Sequence, residues 1–313
     1  MAVYRRILVI INPASGRHDV GQTRQLIEER CAREQVAYEL RETQDAGDAF
    51  MWAQQAEADG FDLVLVSGGD GTIMEAMSGL IKSGAHVPLA QIPVGTANLL
   101  ARAVNIPTDP QQALDTAFIG KAQRFDVGYL PNEDRYFALV AGAGYDARLI
   151  ADASRELKNV LGFAAYVVTG IKHLFTLRRA RIDLEVDGKR RRLRAHTIMV
   201  VNVGEIESFG LALGPNIQPH DGKLDLVIVS SATLWGALQI LLRILTRRFT
   251  GHSALTYLSA SRVKITARPP LPTEIDGEEL GTTPLYVEAV PQGALLIVPK
   301  DYQPAKEAKE TAA

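Results

Sequence analysis

Residues Ser67–Thr72 (SGGDGT) combine three glycines, one aspartate and two hydroxyl side chains, the groups from which a phosphate-binding turn is built. They lie between an apolar run, Leu63–Val66, and a helical pattern that begins near Ile73. Glycine lets the backbone take φ > 0 and approach a ligand closely, and the N–H groups and dipole of the following helix favour an anion. The turn therefore predicts an anion site, although a strand-to-helix connection without a ligand uses the same residue types.

Two further turns repeat this arrangement. Asn12–Gly16 (NPASG) follows the apolar run Ile7–Ile11, and Pro93–Asn98 (PVGTAN) follows Leu89–Ile92 and precedes the helical run Leu99–Ala103. Alternating strands and helices predict a parallel sheet with right-handed crossovers, which brings all three turns to its carboxyl edge. Ligands of open α/β sheets bind at that edge, so the three turns together predict a nucleotide or polyphosphate site.

Asp70 is the acidic residue of the central turn, and it cannot contact phosphate directly without repulsion. The chain has no G-x-x-x-x-G-K-[ST] motif, so the lysine that such a motif supplies to terminal phosphates is missing. Beside an anion, a carboxylate can hold a hydrated Mg²⁺, a cation that keeps several waters and takes one or two carboxylates. Asp70 could also cap the N-terminus of its own helix, and the sequence leaves both roles open.

A second cluster of carboxylates, Glu274–Glu279 (EIDGEE), surrounds a glycine between two strand-like runs. Phosphoryl transfer asks a protein mainly for positioning and charge stabilisation, with one acceptor for the proton of the attacking hydroxyl. On residue types alone, a solvated acidic hairpin is the simpler explanation of this segment.

The segment Gly142–Ala147 (GAGYDA) has the G-x-G-x-x-A form of a dinucleotide-binding turn and follows the strand-like run Phe137–Ala141. The acidic residue expected about 20 positions further on, at the end of a second parallel strand, is missing. We therefore interpret this segment as a structural turn.

The elements that must position these residues change in kind near Asp126. The length of 313 residues is enough for two domains. Strands and helices alternate before Asp126, whereas short strand-like runs dominate after it, which predicts an all-β, sandwich-like second domain. These runs are Tyr136–Ala141, Arg181–Val186, Thr197–Val203, Leu224–Val229, Val263–Ala267, Leu285–Val290 and Ala294–Val298. The polar tail, residues 304–313, lacks an apolar face and is expected to be disordered.

Composition narrows the class of protein. The 34 basic and 36 acidic residues nearly cancel, so no whole-chain field favours nucleic acid or an anionic membrane. The single cysteine, Cys31, cannot form an intrachain disulfide and is typical of a core residue in a reducing cytoplasm. The apolar run after Met1 is too short for a signal peptide. The nearly charge-free stretch Asn159–Ile171 is shorter than the roughly 20 residues that span a bilayer, so we expect a cytoplasmic protein.

In order and spacing, Asn12–Gly16, Ser67–Thr72 and Gly95–Ala101 (GTANLLA) resemble the catalytic domain of the diacylglycerol kinase and sphingosine kinase family. The small bacterial lipid kinases are the most similar in size. The resemblance implies an α/β nucleotide-binding domain like that of NAD kinases and phosphofructokinases, and a β-sandwich-like lipid-substrate domain, with the active-site cleft between them. It places the first domain at residues 1–127, rejoined by 296–303, and the second at 128–295.

The same resemblance implies the site residues. The ATP-binding positions are Asn12, Pro13, Ser15, Gly16, Thr43, Gly68, Gly69, Asp70, Gly71, Thr72, Gly95, Thr96 and Asn98. Asp70 would act in catalysis through a Mg²⁺ bound with ATP. Asp276 and Glu278 would jointly receive the proton of the attacking hydroxyl, with Glu278 the better candidate for the base. Thr43 taken alone could be a helix N-cap, a role open also to Asp45 or Asp48.

A structural Mg²⁺ site is implied at Gln218–Asp225 (QPHDGKLD). The side chain of Asp221 and the main-chain carbonyls of Gln218 and Lys223 match the family's ligands, although composition alone indicates the start of a hairpin. His220 is incidental, since none of the six histidines has metal-ligand spacing.

A lipid kinase must contact a membrane at its surface, and two segments could do so. Leu234–Phe249 has apolar residues at helical spacing with arginines at one end, which suits an interfacial helix or a core helix equally. Lys189–Arg194 (KRRRLR) is typical of a solvated edge strand but could also meet anionic headgroups. Val160–Val168 could line an acyl pocket, and an edge strand of the second domain could support a homodimer.

Three functions remain open. The favoured one is an ATP-dependent lipid kinase whose acceptor is diacylglycerol or a related lipid, such as a sphingoid base or a lipid like phosphatidylglycerol. An NAD kinase-like enzyme shares the Gly-Gly-Asp-Gly turn, but the NPASG and Asp-Gly-Glu elements fit it poorly. A non-catalytic lipid- or nucleotide-binding protein is disfavoured because Asp70, Asp276 and Glu278 are all present.

Overall fold

The computed structural model describes residues 4–16, 19–144, 179–206, 211–215, 217–230, 239 and 255–303. It divides into two compact units. The first takes in residues up to Phe125 together with Gln292–Gln303, and the second takes in Asp126–Pro291.

The first unit alternates strands and helices. Its elements are β1 (Arg6–Ile11), α1 (Val20–Glu34), β2 (Ala37–Glu42), α2 (Asp48–Gln55), β3 (Leu63–Gly68), α3 (Asp70–Ser83), β4 (Leu89–Pro93), α4 (Leu99–Ala103) and α5 (Pro110–Ile119). β1 pairs in parallel with both β2 and β3, and β3 pairs in parallel with β4. The parallel α/β sheet expected from the sequence is therefore confirmed.

The strands at the centre of this sheet are buried on both faces. Every residue of β3 is buried, and so is every residue of β1 after Arg6. Continuous apolar runs of this kind are typical of parallel strands covered by helices on both sides. The prediction that the helix after β3 begins near Ile73 is three residues late, because the extended residue Gly69 precedes the helix and Asp70 already lies in its first turn.

The second unit is built from β-strands. Its elements are β5 (Lys121–Leu130, which begins in the first unit), β6 (Arg135–Phe137), β7 (Val140–Ala143), β8 (Ala180–Val186), β9 (Lys189–Ala195), β10 (Thr197–Val201), β11 (Glu205–Ile206), β12 (Leu211–Ala212), β13 (Leu224–Val229), β14 (Leu255–Ala260), β15 (Arg262–Arg268), β16 (Pro272–Ile275), β17 (Glu278–Thr282) and β18 (Leu285–Val298, which ends in the first unit).

One antiparallel sheet and the antiparallel part of a second, mixed sheet form the frame of this unit. One has the strand order β14-β13-β10-β7-β16-β17, and in the other β15 pairs with β18 and β8, and β8 with β9. Alternate residues of both sheets, such as Ile182, Ile198 and Ile265, enter one hydrophobic core. This β-sandwich architecture confirms the sequence prediction. The two runs predicted at Leu285–Val290 and Ala294–Val298 form one strand, because the left-handed residue Gln292 (φ 51°) is accommodated within the strand.

The structural reading of the Gly142 segment is supported as far as Gly144. Gly142 lies in β7, which pairs in antiparallel fashion with β10 and β16 rather than in a parallel sheet. A Cβ on Gly144 (φ +94°) would lie 2.1 Å from the carbonyl oxygen of His196. Gly144 therefore serves close backbone packing.

Several sequence predictions lie outside the described residues. They concern residues 145–147, the apolar run Val160–Val168, the helix expected at Leu234–Phe249 apart from Gln239, and the tail 304–313. Cys31 is described and is buried in α1, and burial raises the pKa of its thiol to about 11. Among the described helices, none has the length and apolar composition that crossing a bilayer requires.

Candidate active site

The three glycine turns of the first unit contact one another at the carboxyl edge of the sheet. The N–H of Asn12 donates to the carbonyl of Ser67 at 2.9 Å, and the N–H of Val94 donates to the carbonyl of Gly68 at 3.1 Å. The Asn12 side chain donates from Nδ2 to Thr72 Oγ1 at 2.8 Å. Residues from three separate strand-to-helix connections are therefore held together, as the sequence predicts.

Two glycines make this approach possible. Gly16 has φ +72°, and a Cβ there would lie 1.7 Å from the carbonyl oxygen of Val94. A Cβ on Gly95 would lie 2.6 Å from the Cα of Gly69. The N–H of Gly69 donates to Ser15 Oγ at 3.2 Å. Backbone packs against backbone here, so the turns leave no room for a side chain on the side where they meet.

The start of α3 is suited to an anion. Its N-cap residue, Gly69, makes no side-chain capping hydrogen bond. The first N–H groups of a helix have no intrahelical partner, and the helix dipole adds positive potential at the same end. A phosphate group at this turn would therefore meet backbone donors.

Asp70 reaches from the first turn of α3 to the N-terminus of α4. Its Oδ1 accepts the N–H of Leu100 at 3.2 Å. Burial is the largest influence on the Asp70 carboxyl and raises its pKa, whereas hydrogen bonds from the N–H groups of Leu100, Leu99 and Asn98 act in the opposite direction. The N-cap position of α3 is occupied by Gly69 and not by Asp70, although the Asp70 carboxylate accepts its own N–H in the first turn.

Asn98 fixes the third turn. It has left-handed backbone angles (φ 50°) and is buried. Its Nδ2 donates to the carbonyl of Pro93 at 3.2 Å and to that of Gly95 at 2.9 Å. The Asn98 side chain therefore holds the turn in one shape. A turn that binds a ligand through its backbone needs such a fixed shape.

Thr43 lies at the same edge of the sheet, just after β2. Its N–H donates to the carbonyl of Ile11 at 2.9 Å, next to the first turn. It is not a helix N-cap, because α2 begins five residues later with Gly47 in the capping position. The carboxylate of Asp48 accepts N–H groups within the preceding loop instead. Thr43 therefore remains a candidate for nucleotide contact.

In the second unit, Asp276 holds the acidic hairpin between β16 and β17. Its carboxylate accepts the N–H groups of Ala138 at 2.9 Å, Leu139 at 3.0 Å and Val140 at 2.9 Å. Three donors aimed at one carboxylate favour its ionised, accepting form. The side chain thus ties the hairpin to the segment between β6 and β7.

Glu278, the next carboxylate along the hairpin, is exposed. Its Oε2 accepts from Arg135 Nη2 at 2.5 Å, and the two side chains are 57% and 43% exposed. A pair of this exposure contributes about 0–1 kcal/mol to stability, so it can open at little cost. Asp276 and Glu278 therefore differ sharply: the first is fixed by backbone donors, and the second can exchange its partner.

The predicted structural ion site lies in the loop before β13. The Asp221 carboxylate accepts the N–H of Lys223 at 2.9 Å. Burial, followed by the negative charge of Asp221, raises the pKa of Asp225 to about 6. Negative charge that is partly removed from water in this way is an environment that a cation would stabilise.

Asp126 of β5 contacts this loop, and the sequence analysis did not identify it. It is fully buried, its Oδ2 accepts the N–H of Gly222 at 2.7 Å, and its own N–H donates to the carbonyl of Pro219 at 2.8 Å. The available signal was an aspartate between two apolar residues of β5, Phe125 and Val127. Within the described residues, three or more His, Cys, Asp or Glu side chains never converge in metal-binding geometry. A cation here would therefore depend on main-chain carbonyls, as the resemblance implies.

The predicted residues fall into two groups. The nucleotide candidates in the first unit, including Thr43, lie together at one sheet edge. Asp276, Glu278 and the loop containing Asp221 belong to the second unit.

Comparison with known proteins agrees with both units. Residues 6–130 match the diacylglycerol kinase catalytic domain, and residues 139–298 match the YegS C-terminal NAD kinase beta sandwich-like domain. A diacylglycerol kinase of Bacillus subtilis (strain 168) is 33% identical over 283 residues, which cover 90% of this chain and 92% of that protein. A diacylglycerol kinase of Staphylococcus carnosus (strain TM300) is 28% identical over 309 residues, covering 95% and 96% respectively.

A solved structure shares the fold. The crystal structure of a diacylglycerol kinase from Bacillus anthracis strain Sterne has a TM-score of 0.77 at 24% identity and covers 95% of this chain and 98% of that one.

Proposed function

Because this chain belongs to the diacylglycerol kinase family, we propose that it transfers the γ-phosphate of ATP to a hydroxyl group of diacylglycerol or of a related lipid. The observation that carries the proposal is the contact of three glycine turns at one sheet edge, with the half-buried carboxylate of Asp70 beside them. Those turns offer backbone N–H groups to phosphates and exclude side chains from the space where they meet.

The first unit would bind the nucleotide. Gly68–Thr72 and Asn12–Gly16 would surround the phosphates, while Thr43 would contact the base or ribose. Mg²⁺ bound with ATP would neutralise phosphate charge during transfer. Asp70 fits that ion because it is an oxygen ligand at the helix N-terminus, and its raised pKa reflects a buried carboxyl that a cation would favour in the charged form.

The second unit would receive the proton of the acceptor hydroxyl. Glu278 is the better candidate for this base, because its carboxylate is exposed and its pair with Arg135 can open to a substrate hydroxyl. Asp276 would position the hairpin, since its carboxylate already accepts three backbone N–H groups. The lipid would be held by this unit, with the protein acting from the cytoplasm at the membrane surface.

A transfer assay tests this function. Wild-type protein with γ-labelled ATP and Mg²⁺ is supplied with diacylglycerol, a sphingoid base, phosphatidylglycerol and NAD, with the lipids in neutral detergent micelles. We expect label in one lipid. We also expect Glu278→Ala and Asp70→Ala to lose turnover by at least 100-fold while still melting cooperatively, since removing catalytic groups of these kinds typically costs this much.

Glu279→Ala is the matched control, because it removes an exposed carboxylate from the next position of the same hairpin. It should keep turnover within about twofold. Label that enters NAD instead would indicate an NAD kinase. ATP binding without any transfer would indicate a binding protein, and turnover retained in Glu278→Ala would disprove the role given to that residue.

We further propose a structural Mg²⁺ held by the Asp221 side chain and the carbonyls of Gln218 and Lys223. The supporting observations are the raised pKa of Asp225 and the buried carboxylate of Asp126, which accepts the N–H of Gly222 in this loop. Such an ion would stabilise the second unit and would take no part in transfer.

A further inference from the structure

Three arginines lie side by side on the outer face of one sheet of the second unit. In the strand register, Arg268 of β15 stands opposite Arg181 of β8, and Arg181 stands opposite Arg194 of β9. All three are exposed, whereas their neighbours along β8, Ala180 and Ile182, point into the core. We call these three residues the arginine row.

The neighbouring rows of the same face are balanced by carboxylates. Arg192 pairs with Asp183 at 2.9 Å, and Arg190 pairs with Glu185 at 2.9 Å. In the part of the chain that the structure describes, no carboxylate pairs with any member of the arginine row. Like charges directly opposite each other destabilise a sheet, so this row costs stability unless an anion lies against it.

Protection of a sheet edge does not account for the row. Basic residues on an edge strand discourage pairing with other chains, which explains the run Lys189–Arg194 on β9. Arg181, however, lies on β8, which is paired on both sides, with β15 and with β9. Arg268 pairs only with β8, because it lies beyond Arg262–Ile265, the part of β15 that pairs with β18. The placement of Arg181 at the centre of the row calls for a different reason.

The row borders an open groove of about 610 Å³. The groove is lined by Arg181, Ile182, Asp183, Arg192, Leu193, Arg194 and Arg268. Guanidinium groups donate in a planar fork that matches phosphate oxygens and are weakly hydrated, which suits them to phosphate at a surface. The groove therefore offers convergent donors to a phosphate-bearing partner.

We propose that the arginine row is a docking surface for the anionic phospholipid headgroups of a membrane. The outer positions of β8, β9 and β15 that share these rows hold six basic and two acidic residues, so the face is locally positive although the whole chain has a formal net charge of −2. The exposed members of this face, which include all three residues of the arginine row, match an extended anionic surface. The choice of a membrane rests on the proposed function, because the lipid substrate would lie there.

Vesicle flotation without nucleotide tests the docking surface. Wild-type protein is mixed with vesicles of pure phosphatidylcholine or with vesicles that also contain about 30% phosphatidylglycerol, which gives them a negative surface potential. We expect binding only to the anionic vesicles, weakening as salt rises. Each basic residue near such a surface contributes about fivefold, so Arg181→Gln/Arg194→Gln/Arg268→Gln should lose binding on the order of 100-fold.

The control variant removes the same charge elsewhere. Arg5→Gln/Arg33→Gln/Lys300→Gln changes three exposed cations of the first unit and should bind within about threefold of wild type. Equal loss in both triple variants, or no wild-type binding to anionic vesicles, would overturn the proposal. Displacement by inorganic phosphate but not by chloride at equal ionic strength would also overturn it, in favour of a site for free anions.

Two further measurements separate the causes of failure. Thermal unfolding of the arginine variant should be no less cooperative than that of the wild type, since the substitutions remove repulsion. Wild-type transfer in neutral micelles reports the kinase function without an anionic surface. If flotation depends on the arginine row but no phosphate is transferred to any lipid, the docking surface is supported and the proposed kinase function is rejected.

Discussion

Two Asp-Gly turns of this protein use the same residue types in opposite ways. At Asp70–Gly71 in the first unit, the surrounding turns are fixed by backbone packed on backbone, with no space for a Cβ on Gly16 or Gly95. At Asp276–Gly277 in the second unit, nothing lies within 4 Å of a Cβ on the glycine, and one carboxylate with three N–H donors holds the hairpin. The first turn should therefore be sensitive to volume, and the second to the loss of one charge.

The largest effect should follow Gly16→Ala. The new methyl group would overlap the carbonyl of Val94, and alanine would be held at a φ of +72° that L-residues disfavour. We therefore expect the free energy of unfolding of the first unit to fall by about 3 kcal/mol or more. Gly84→Ala is the matched control, because it has a similar φ of +68° with nothing within 4 Å and should cost about 1 kcal/mol. Urea unfolding and ATP titration of both variants measure the difference. Equal costs would contradict volume as the cause.

The next effect should follow Asp276→Ala. Three N–H groups would lose their acceptor, and we expect the second unit to lose about 2–4 kcal/mol. Glu278→Ala, two residues away and exposed, should change stability by about 0.5 kcal/mol at most while abolishing transfer. Thermal unfolding alongside the transfer assay separates the two. A stable Asp276→Ala protein would show that the hairpin is held by other contacts.

A smaller effect concerns the loop around Asp221. If a structural Mg²⁺ binds there, adding millimolar Mg²⁺ to the nucleotide-free protein should raise the melting temperature by a few degrees. Asp221→Asn should abolish the rise. Asp301→Asn, which changes an exposed aspartate of the first unit, should keep it. A rise that persists in Asp221→Asn would place the responsible ion elsewhere.

The smallest effect is a pH dependence of the folding stability, which has opposite signs at two aspartates. Burial raises the folded-state pKa of Asp70, so its ionisation costs stability as pH rises through the interval between the unfolded and folded pKa. Asp70→Asn should therefore be slightly more stable than wild type at pH 8 without nucleotide, and the gain should vanish in acid.

Asp48 provides the contrast. Hydrogen bonds from the N–H groups of Asp45 and Gln44 lower its pKa, so its stabilisation is present at neutral pH and is lost as pH falls. Asp48→Asn should be less stable than wild type at pH 8, with the difference shrinking in acid. Melting temperatures between about pH 2 and 8 test both signs, because the Asp48 effect changes below the unfolded-state pKa of about 3.9 and the Asp70 effect changes above it. The same sign for both variants would contradict the assignment.

The strands and turns of the first unit could be predicted from local residue types. Apolar runs followed by glycine and hydroxyl residues identify β1, β3, β4 and their turns, because each signal lies within a few neighbouring positions. The second unit depends on distant partners. Asp276 is held by N–H groups 136 to 138 positions away, and Asp126 binds Gly222 from 96 positions away. Nothing in either local sequence reveals these contacts.

The arginine row shows the same limit in another form. The run Lys189–Arg194 is visible as a basic segment, but Arg181 and Arg268 are single residues in separate strands. Only the register of β15, β8 and β9 places them in one row with Arg194. A sequence predicts which face of a strand a residue takes far better than which residue stands opposite it.

The passage of β18 from the second unit into the first has a consequence for synthesis of the protein. The ribosome makes β4 and α5 long before Gln292–Gln303, yet Leu296 completes the pairing beside Leu89 and Tyr302 packs against Phe125 with ring centroids 5.8 Å apart. While the intervening residues are being translated, the emerging first unit carries an unfilled strand position at β4. A nascent chain in that condition is open to pairing with other chains, so rapid completion of translation itself protects it.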